Sequence, residues 1–484
     1  MSAAEYGDYV SQHLLKKRPL EQIVEEALDF AHCHGLVMRT PEHKDRSDIC
    51  QVAPMALFPS PFPSHLLKQA LEAQDPMTEL YFYLAWDHDF LIEAHKDVIK
   101  TDVFTRKMVE IYEKCWAEGV SQTKSLVTQR ADYMADISKN SKGELKQIEV
   151  NNIAVSMGGL AQRVSQWHRK IITELEGKDP EERIPINQPV DTLGEGLYHA
   201  WLAMEDPKGI ILVVVEDVNQ NQLDQRFIEY HVSALREGGV KFIRATLTQC
   251  ASRLKMNDKK DLIIDGEERV TLVYFRSGYS PANYPSDLEW DARLTMERSN
   301  AIKCPWIGLQ LANTKKVQQV LTQPNTVEKY FPEDPDKVNR IRGTFASIWG
   351  LENDDDATRQ LIEDALKNPN HYVLKPQLEG GGGNFYGEEI VAKLQKFSKD
   401  ELAAHILMEK INPLAVENVL IRAFRPPVVS KIVSELGTYG WCFGDSTKLS
   451  RVYSNGHILR SKAEDVNEGG VAVGAAVIDS AYLF

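Results

Sequence analysis

The sequence predicts an α/β (α+β) protein whose mainly helical first third gives way to a strand-rich middle and a mixed C-terminal part. Three observations carry this. Leu20, Ile23, Val24, Ala27, Leu28 and Ala31 recur at helical spacing, residues 210–215 (IILVVV) form a continuous apolar, largely β-branched run, and residues 145–153 (LKQIEVNNI) alternate like a strand.

The bulk properties narrow the class. A chain of 484 residues with 43% hydrophobic and 26% charged side chains is an ordinary globular composition, long enough for two or more lobes. A net charge of −14 argues against wrapping nucleic acid or lying on an anionic membrane, and it leaves small anionic substrates open. The longest apolar run, residues 210–215, falls far short of the roughly 20 residues of a membrane span. The stretch MSAAEYGDYVSQHLLKKRP has no basic segment followed by an apolar one, so the chain reads as cytoplasmic; a secreted form with its signal removed would read the same. Cys33, Cys50, Cys115, Cys250, Cys304 and Cys442 are far apart with no CxxC pair, which predicts reduced, buried and inert thiols.

Taken in order, Pro19 opens the first helix and Gly35 stands where its C-cap belongs. Helical patterns continue to about residue 125, interrupted by a loop at residues 58–64, FPSPFPS. His32-Cys33-His34 lies in a helical pattern, where residues two apart point to different faces, and Asp87-His88-Asp89 has no second ligand set beside it; both read as solvated surface. Residues 210–215 read as a strand buried on both faces. A helix over 225–236 follows, with Phe227, Ile228, Val232 and Leu235 on one side and Gly238-Gly239 ending it. A strand over 240–247 comes next, then a hairpin joining 262–264 to 270–275 around Asp265-Gly266. The predicted organisation is an N-terminal part (1–207), an inserted α/β substrate-binding module (208–312) and a C-terminal part (313–484) with a glycine-rich lid around 373–430.

The chemistry concentrates in a few stretches. Residues 375–389 read KPQLEGGGGNFYGEE. A dinucleotide fingerprint fails because Phe385 stands where a third glycine is needed, and a P-loop fails because Glu388-Glu389 replace Lys and Ser/Thr. A glycine hairpin closing over a triphosphate remains, with Lys375 and Glu379 supplying a cation and a magnesium ligand beside it. From the glycines alone a surface linker is equally open. Glu149 and Asn151, two apart on a strand, share a face and offer hard oxygen ligands for Mg²⁺; a polar strand edge is the alternative. Arg460 and Lys462 share a face in the same way, which calls for an anion between them. Residues 467–477, NEGGVAVGAAV, read either as a second closing loop or as core packing.

Together the motifs resemble the eukaryotic glutathione synthetase family, of the ATP-grasp fold. They are QRADYM (129–134), LKQIE (145–149), DQR (224–226), LANTKKVQQ (311–319), VLKPQ and EGGGGNFYGEE within 373–389, ILMEKI (406–411), SELG (434–437) and LRSKA through GGVAVG (459–474), and they run nearly end to end. The resemblance implies an ATP- and Mg²⁺-dependent ligase joining γ-glutamylcysteine to glycine through an acyl phosphate, in a cytoplasmic homodimer.

The resemblance also implies roles. Arg130, Arg460 and Lys462 would be catalytic. Glu149, Asn151 and Glu379 would hold Mg²⁺. ATP would meet Glu149, Lys315, Lys375, Glu379, Gly380, Gly381, Gly382, Gly383, Asn384 and Tyr386, then Met408, Glu409, Lys410, Ile411, Glu435, Lys462 and Glu468, with Glu435 accepting from ribose hydroxyls. The dipeptide would meet Arg130, Ile153, Ala154, Val155, Ser156, Asn219, Gln220, Asn221, Gln225, Arg276, Ser277, Gly278 and Tyr279. Glycine, or another amino-acid acceptor, would lie near Arg460, Val471 and Ala472. Five positions depart from the family pattern: Ala154 for serine, Ser277 for aspartate, Leu378 for arginine, Gly383 for asparagine and Glu468 for aspartate. They keep open a relative with altered substrate or low activity, and a nucleotide-binding protein with little turnover; the full metal set argues against the last. Gly383, by loosening the lid, predicts a loop that orders only with nucleotide.

Overall fold

A computed structural model describes residues 7–138, 142–377, 383–467, 470–471 and 474–484. Its centre is a seven-stranded sheet in the order Ala415–Ile421, Met55–Ala56, Val477–Asp479, Leu449–Ala463, Val429–Gly444, Ser125–Asp136, Glu144–Asn151. The strand Ala415–Ile421 pairs as well with Val429–Gly444, curling this edge back on itself. Successive residues of Val429–Gly444 point to opposite faces. A side chain at Gly440 would meet Gln74 of the helix Ser64–Leu84, and the Trp441 ring lies against Gly196 of the helix Pro189–Leu202. The two helices therefore cover opposite faces of the sheet, and apolar residues on both sides are buried.

The middle of the chain forms a second sheet of six strands, ordered Phe242–Ala245, Ile210–Val214, Glu268–Phe275, Leu262–Ile264, Leu254–Met256, with Ile302–Cys304 paired to Glu268–Phe275. Ile210–Val214 runs parallel to both its neighbours and is buried along its length, as the β-branched run predicts. The hairpin at Asp265-Gly266 is present, with Leu262 opposite Val270 and Ile264 opposite Glu268. Both turn residues have positive φ (55° and 80°), the turn whose twist matches the flanking strands. A third sheet of three strands, Ile348–Gly350, Ile406–Glu409 and Tyr372–Lys375, packs with the helices Asp356–Lys367 and Glu388–Leu394. These elements bury their own small core of Leu351, Ala365, Leu374, Ile390, Leu394 and Leu407.

Several boundaries differ from expectation. The strand predicted over 240–247 stops at Ala245, because Thr246 and Gln249 form a capping box that starts the helix Leu247–Arg253. The helix predicted over 225–236 is Gln222–Ala234. Within the loop predicted at 58–64, Ser60–Phe62 is a strand; its partner, Ala481–Leu483, comes from the far end of the chain and is invisible to a local reading. The helix that Pro19 opens, Leu20–Cys33, ends at His34 with Gly35 just beyond at φ 69°. His32 and His34 bond back to the carbonyls of Leu28 and Phe30, both at 2.8 Å. Asp87 caps the helix His88–His95 through Phe90 N (3.2 Å). All six cysteines are free; Cys115, Cys250, Cys304 and Cys442 are buried, while Cys33 and Cys50 are exposed, against expectation. No helix among the described residues is long and apolar enough to cross a membrane.

Three buried histidines make stability depend on pH, and burial pushes one of them, His168, down to about 3. His95 bonds Leu91 O (2.7 Å) and Thr314 Oγ1 (2.8 Å), while His457 Nε2 has no partner; burial pushes these two down to about 4. Each favours the neutral ring in the fold, so its contribution is complete above the unfolded value of 6.5 and is lost as pH falls towards 4. The loss is roughly 3 kcal/mol per histidine. Asp479, pushed up to about 7 by burial, acts in the opposite direction over this range. We expect urea midpoints between pH 7 and 4.5 to fall less steeply in His95→Gln than in the wild type; parallel curves would contradict the assignment.

Candidate functional site

The strand Ser125–Asp136 lies between Val429–Gly444 and Glu144–Asn151, with Arg130 opposite Asn151 and Asp132 opposite both Glu149 and Gly437. Between Glu149 and Gln147 the register shifts, leaving Ile148 as an extra residue. Such a bulge re-aims neighbouring side chains. Lys375 Nζ donates to Ile148 O at 3.2 Å, so this kink meets the strand that precedes the glycine run.

Asp132 is fully buried and is the hub of the face. Arg130 donates to it through Nε (2.6 Å to Oδ1) and Nη2 (2.7 Å to Oδ2). Arg460, from the next strand but one, donates to Oδ2 at 2.8 Å, and Asn151 Nδ2 does so at 3.1 Å. Arg460 also bonds Glu435 and lies 3.8 Å from Glu149. Oxygens of Asp132, Glu149 and Glu435 thus fall within 4.8 Å of one another, with guanidinium groups among them. Burial pushes the Glu149 carboxyl up, but Lys315, Arg460, Lys375 and Arg130 outweigh it and hold the group at about 2. Burial also works against the charged Arg130, and Asp132 more than reverses this, so the guanidinium stays protonated. Gly437 is required: a Cβ there would stand 2.7 Å from Asp132 Oδ1 and 2.8 Å from Arg130 Cδ.

Two cavities open on this face. One, of about 220 Å³, gathers Glu149, Lys315, Lys375, Asn384, Tyr386, Met408, Glu409, Lys410, Ile411, Glu435, Arg460 and Lys462. The other, of about 360 Å³, gathers Arg130, Asn151, Ile153, Ala154, Val155, Ser156, Asn219, Gln220, Asn221, Gln225, Arg276, Tyr279 and Val471. Glu149, Arg460 and Gly470 line both. The second cavity sits against the carboxyl ends of the parallel strands Ile210–Val214 and Glu268–Phe275, where ligands of open α/β sheets bind. Asp224 ties this module to the helix Gly158–Glu176, accepting from Met157 N (2.8 Å), Gly159 N (2.8 Å) and Leu160 N (3.2 Å). A carboxylate on a helix N-terminus satisfies amides that have no intrahelical partner.

A family profile described as the ATP-binding domain of eukaryotic glutathione synthase matches residues 17–483. The chain belongs to the eukaryotic glutathione synthetase family. It is 40% identical to glutathione synthetase of Xenopus laevis over 468 residues, covering 96% of this chain and 97% of that protein. With the Homo sapiens glutathione synthetase it shares 38% over 470 residues (97% and 98% covered), and with the chloroplastic enzyme of Solanum lycopersicum 35% over 485 residues (98% and 86%). Among solved structures it resembles a glutathione synthetase like-effector from Globodera pallida in apoform, with a TM-score of 0.77 and 29% identity over 96% of this chain and 97% of that one. The mixed helix and sheet architecture is of the ATP-grasp type of this family.

Not every residue that the family pattern suggests reaches a cavity. Ser277 is buried, Gly278 O accepts from Gln310 Nε2 (2.9 Å) and Tyr284 OH (3.2 Å), and neither residue lines a cavity. Gly383, at φ 75°, lines neither as well. Glu435, expected to meet a ribose, is bonded to Arg460. Leu378, Glu379, Gly380, Gly381, Gly382, Glu468 and Ala472 lie outside the described residues, and so does the expectation about lid ordering.

Other lining residues escape sequence reading. Asp132 had a signal, standing two positions after Arg130 on one strand and so on the same face. Glu216 follows the carboxyl end of a parallel strand. Lys44 had none: the bond from Arg39 N to Gln220 O (3.2 Å) brings its segment to the cavity. Removing Asp132 takes the shared carboxylate from two buried guanidinium groups, so we expect Asp132→Ala to cost about 3–5 kcal/mol in urea unfolding. Gly437→Ala should also destabilise by more than about 1 kcal/mol through crowding alone. An unchanged unfolding midpoint in both variants would refute the hub.

Proposed function

We propose that this chain is a glutathione synthetase that ligates γ-glutamylcysteine to glycine with ATP and Mg²⁺. The observation that carries the reading is the junction at which Glu149 and Arg460 line both the lysine-lined cavity and the arginine-lined one. The first takes ATP, its phosphates facing Lys315, Lys375 and Lys462, and the second takes the dipeptide. A cysteinyl carboxylate oxygen attacks the γ-phosphorus in line, the bond to the β,γ-bridging oxygen breaks, and ADP leaves with its electron pair. Glycine nitrogen then adds to the acyl carbon, phosphate departs, and the amine proton is lost to solvent.

Arg130 and Arg460 neutralise the reacting carboxylate and hold it at the junction, and Lys462 offsets charge on the leaving phosphate. Positioning and charge neutralisation supply most of the catalysis in such transfers. Lys462 Nζ donates to Asn467 O at 2.6 Å, which links it to the glycine-rich segment after residue 467. Small residues in the two loops would let the site close and keep water from the acyl phosphate.

The residues suit Mg²⁺. Glu149 is a carboxylate held ionised, and Asn151 sends its amide hydrogens to Asp132 and Glu149, leaving its Oδ1 lone pairs for a cation. Glu379 completes the proposed set from the family pattern. When bound, the ion supplies charge neutralisation on the phosphate oxygens. We further propose the division at residues 207/208 and 312/313, a homodimer and a cytoplasmic location. The inserted sheet contained within 210–304 and the free cysteines support the first and last, and the family resemblance supports the dimer. Altered specificity is not favoured, since the relatives named glutathione synthetase match nearly end to end and Ser277 lines neither cavity.

The test is ADP release with ATP, Mg²⁺ and γ-glutamylcysteine, with and without glycine and then with other amino acids. Glycine-dependent turnover is expected; turnover only with another acceptor refutes the reading. We expect Glu149→Gln to lower kcat by at least about 10³-fold with the fold intact by circular dichroism. Near-normal rates would remove Glu149 from the metal set.

A further inference from the structure

The donor in this reading carries three charges: the cysteinyl carboxylate at the reacting end, and an α-carboxylate and an α-ammonium at the γ-glutamyl end. The 360 Å³ cavity is lined by four cations, Lys44, Arg130, Arg276 and Arg460, but among the described residues by only two carboxylates, Glu149 and Glu216. Glu149 is committed elsewhere, beside Arg460 at 3.8 Å, in contact with Asn151 and shared with the nucleotide cavity.

Glu216 is placed differently. It emerges two residues beyond the strand Ile210–Val214, half-buried, and Tyr279 OH donates to its Oε1 at 3.0 Å. Arg276 emerges from the adjacent parallel strand end, with its N–H on Val214 O at 2.8 Å. The Arg276 side chain is 3% exposed and held by Val155 O and Tyr274 OH, yet its Nε has no hydrogen-bond partner. A buried guanidinium N–H left unpaired costs free energy unless a ligand meets it. One wall of the cavity therefore carries a guanidinium and an oriented carboxylate, both close to Tyr279, which complements the zwitterionic end of an α-amino acid.

We infer that Glu216, held by Tyr279, is a specificity-determining residue that binds the α-ammonium group of the donor while the Arg276 guanidinium faces its α-carboxylate. The inference rests on the proposed function, but it concerns the γ-glutamyl end and not the ligation chemistry. A charged hydrogen bond of this kind is worth a discrimination of about 10- to 100-fold against a donor lacking the amine.

The test is calorimetric binding of γ-glutamylcysteine and of N-glutarylcysteine, the same skeleton without the α-amine, to the full chain with a non-hydrolysable ATP analogue and Mg²⁺. The wild type should prefer the aminated dipeptide by at least about 10-fold, and Glu216→Gln should reduce that preference to under about threefold, with unchanged affinity for the ATP analogue. Tyr279→Phe, which keeps the carboxylate but frees its orientation, should give an intermediate preference and serves if Glu216→Gln does not fold. Equal wild-type binding of the two compounds, or a preference untouched by both variants, overturns the assignment. A wild type that binds the ATP analogue and neither dipeptide overturns the proposed function, and this assignment with it.

Discussion

The charge that Asp132 shares between Arg130 and Arg460 is the interaction on which the site depends. Two guanidinium groups side by side in a buried sheet repel, and each would be costly to desolvate alone. Placing one fully buried carboxylate between them turns that cost into a fixed geometry. The price is paid in sequence: Gly437 must stay bare to make room for the pair, and Asn151 gives an amide hydrogen to the same carboxylate. Because Arg130 lines only the larger cavity while Arg460 lines both, the shared carboxylate also couples the two.

Around this hub, the local field opposes the global one. The chain carries a net charge of −14, yet Glu149 is held at about 2 by four cations drawn from four separate stretches of the chain. Net charge therefore speaks to solubility and to polyanion partners, whereas a triphosphate responds to the few groups within a Debye length. The small lobe built on its own core of Leu351, Leu374 and Leu407 supplies Lys375, Met408 and Tyr386 to this field. The long strands of the central sheet supply Glu149, Glu435, Arg460 and Lys462.

The departures from the family pattern look different in three dimensions. Ser277 is buried outside both cavities, so its replacement of aspartate does not change the lining of either. Ala154 does line the larger cavity, and it sits at φ 51°, with Met157 at 69° three residues on. Non-glycine residues in the left-handed region cost energy and concentrate at binding sites, where the surrounding structure holds them. Here the hold is visible, since Asp224 of the inserted module accepts from Met157 N, Gly159 N and Leu160 N.

The sequence by itself determined the elements whose information is local. The period of residues 20–31, the β-branched run at 210–215, the Asp265-Gly266 turn and the shared face of Glu149 and Asn151 follow from side-chain spacing alone. Motif order carried the family and most of the lining residues. Tertiary structure decided what depends on partners remote in the chain. Ser60–Phe62 became a strand only because Ala481–Leu483 lies beside it, and Arg460 could be recognised as a partner of Asp132 only once the strand between them was in register with both. Lys44 and Glu216 joined the larger cavity for the same reason. Spacing along a strand fixes which face a side chain takes, but the charge that meets it there comes from another strand, and only folding brings the two within hydrogen-bonding distance.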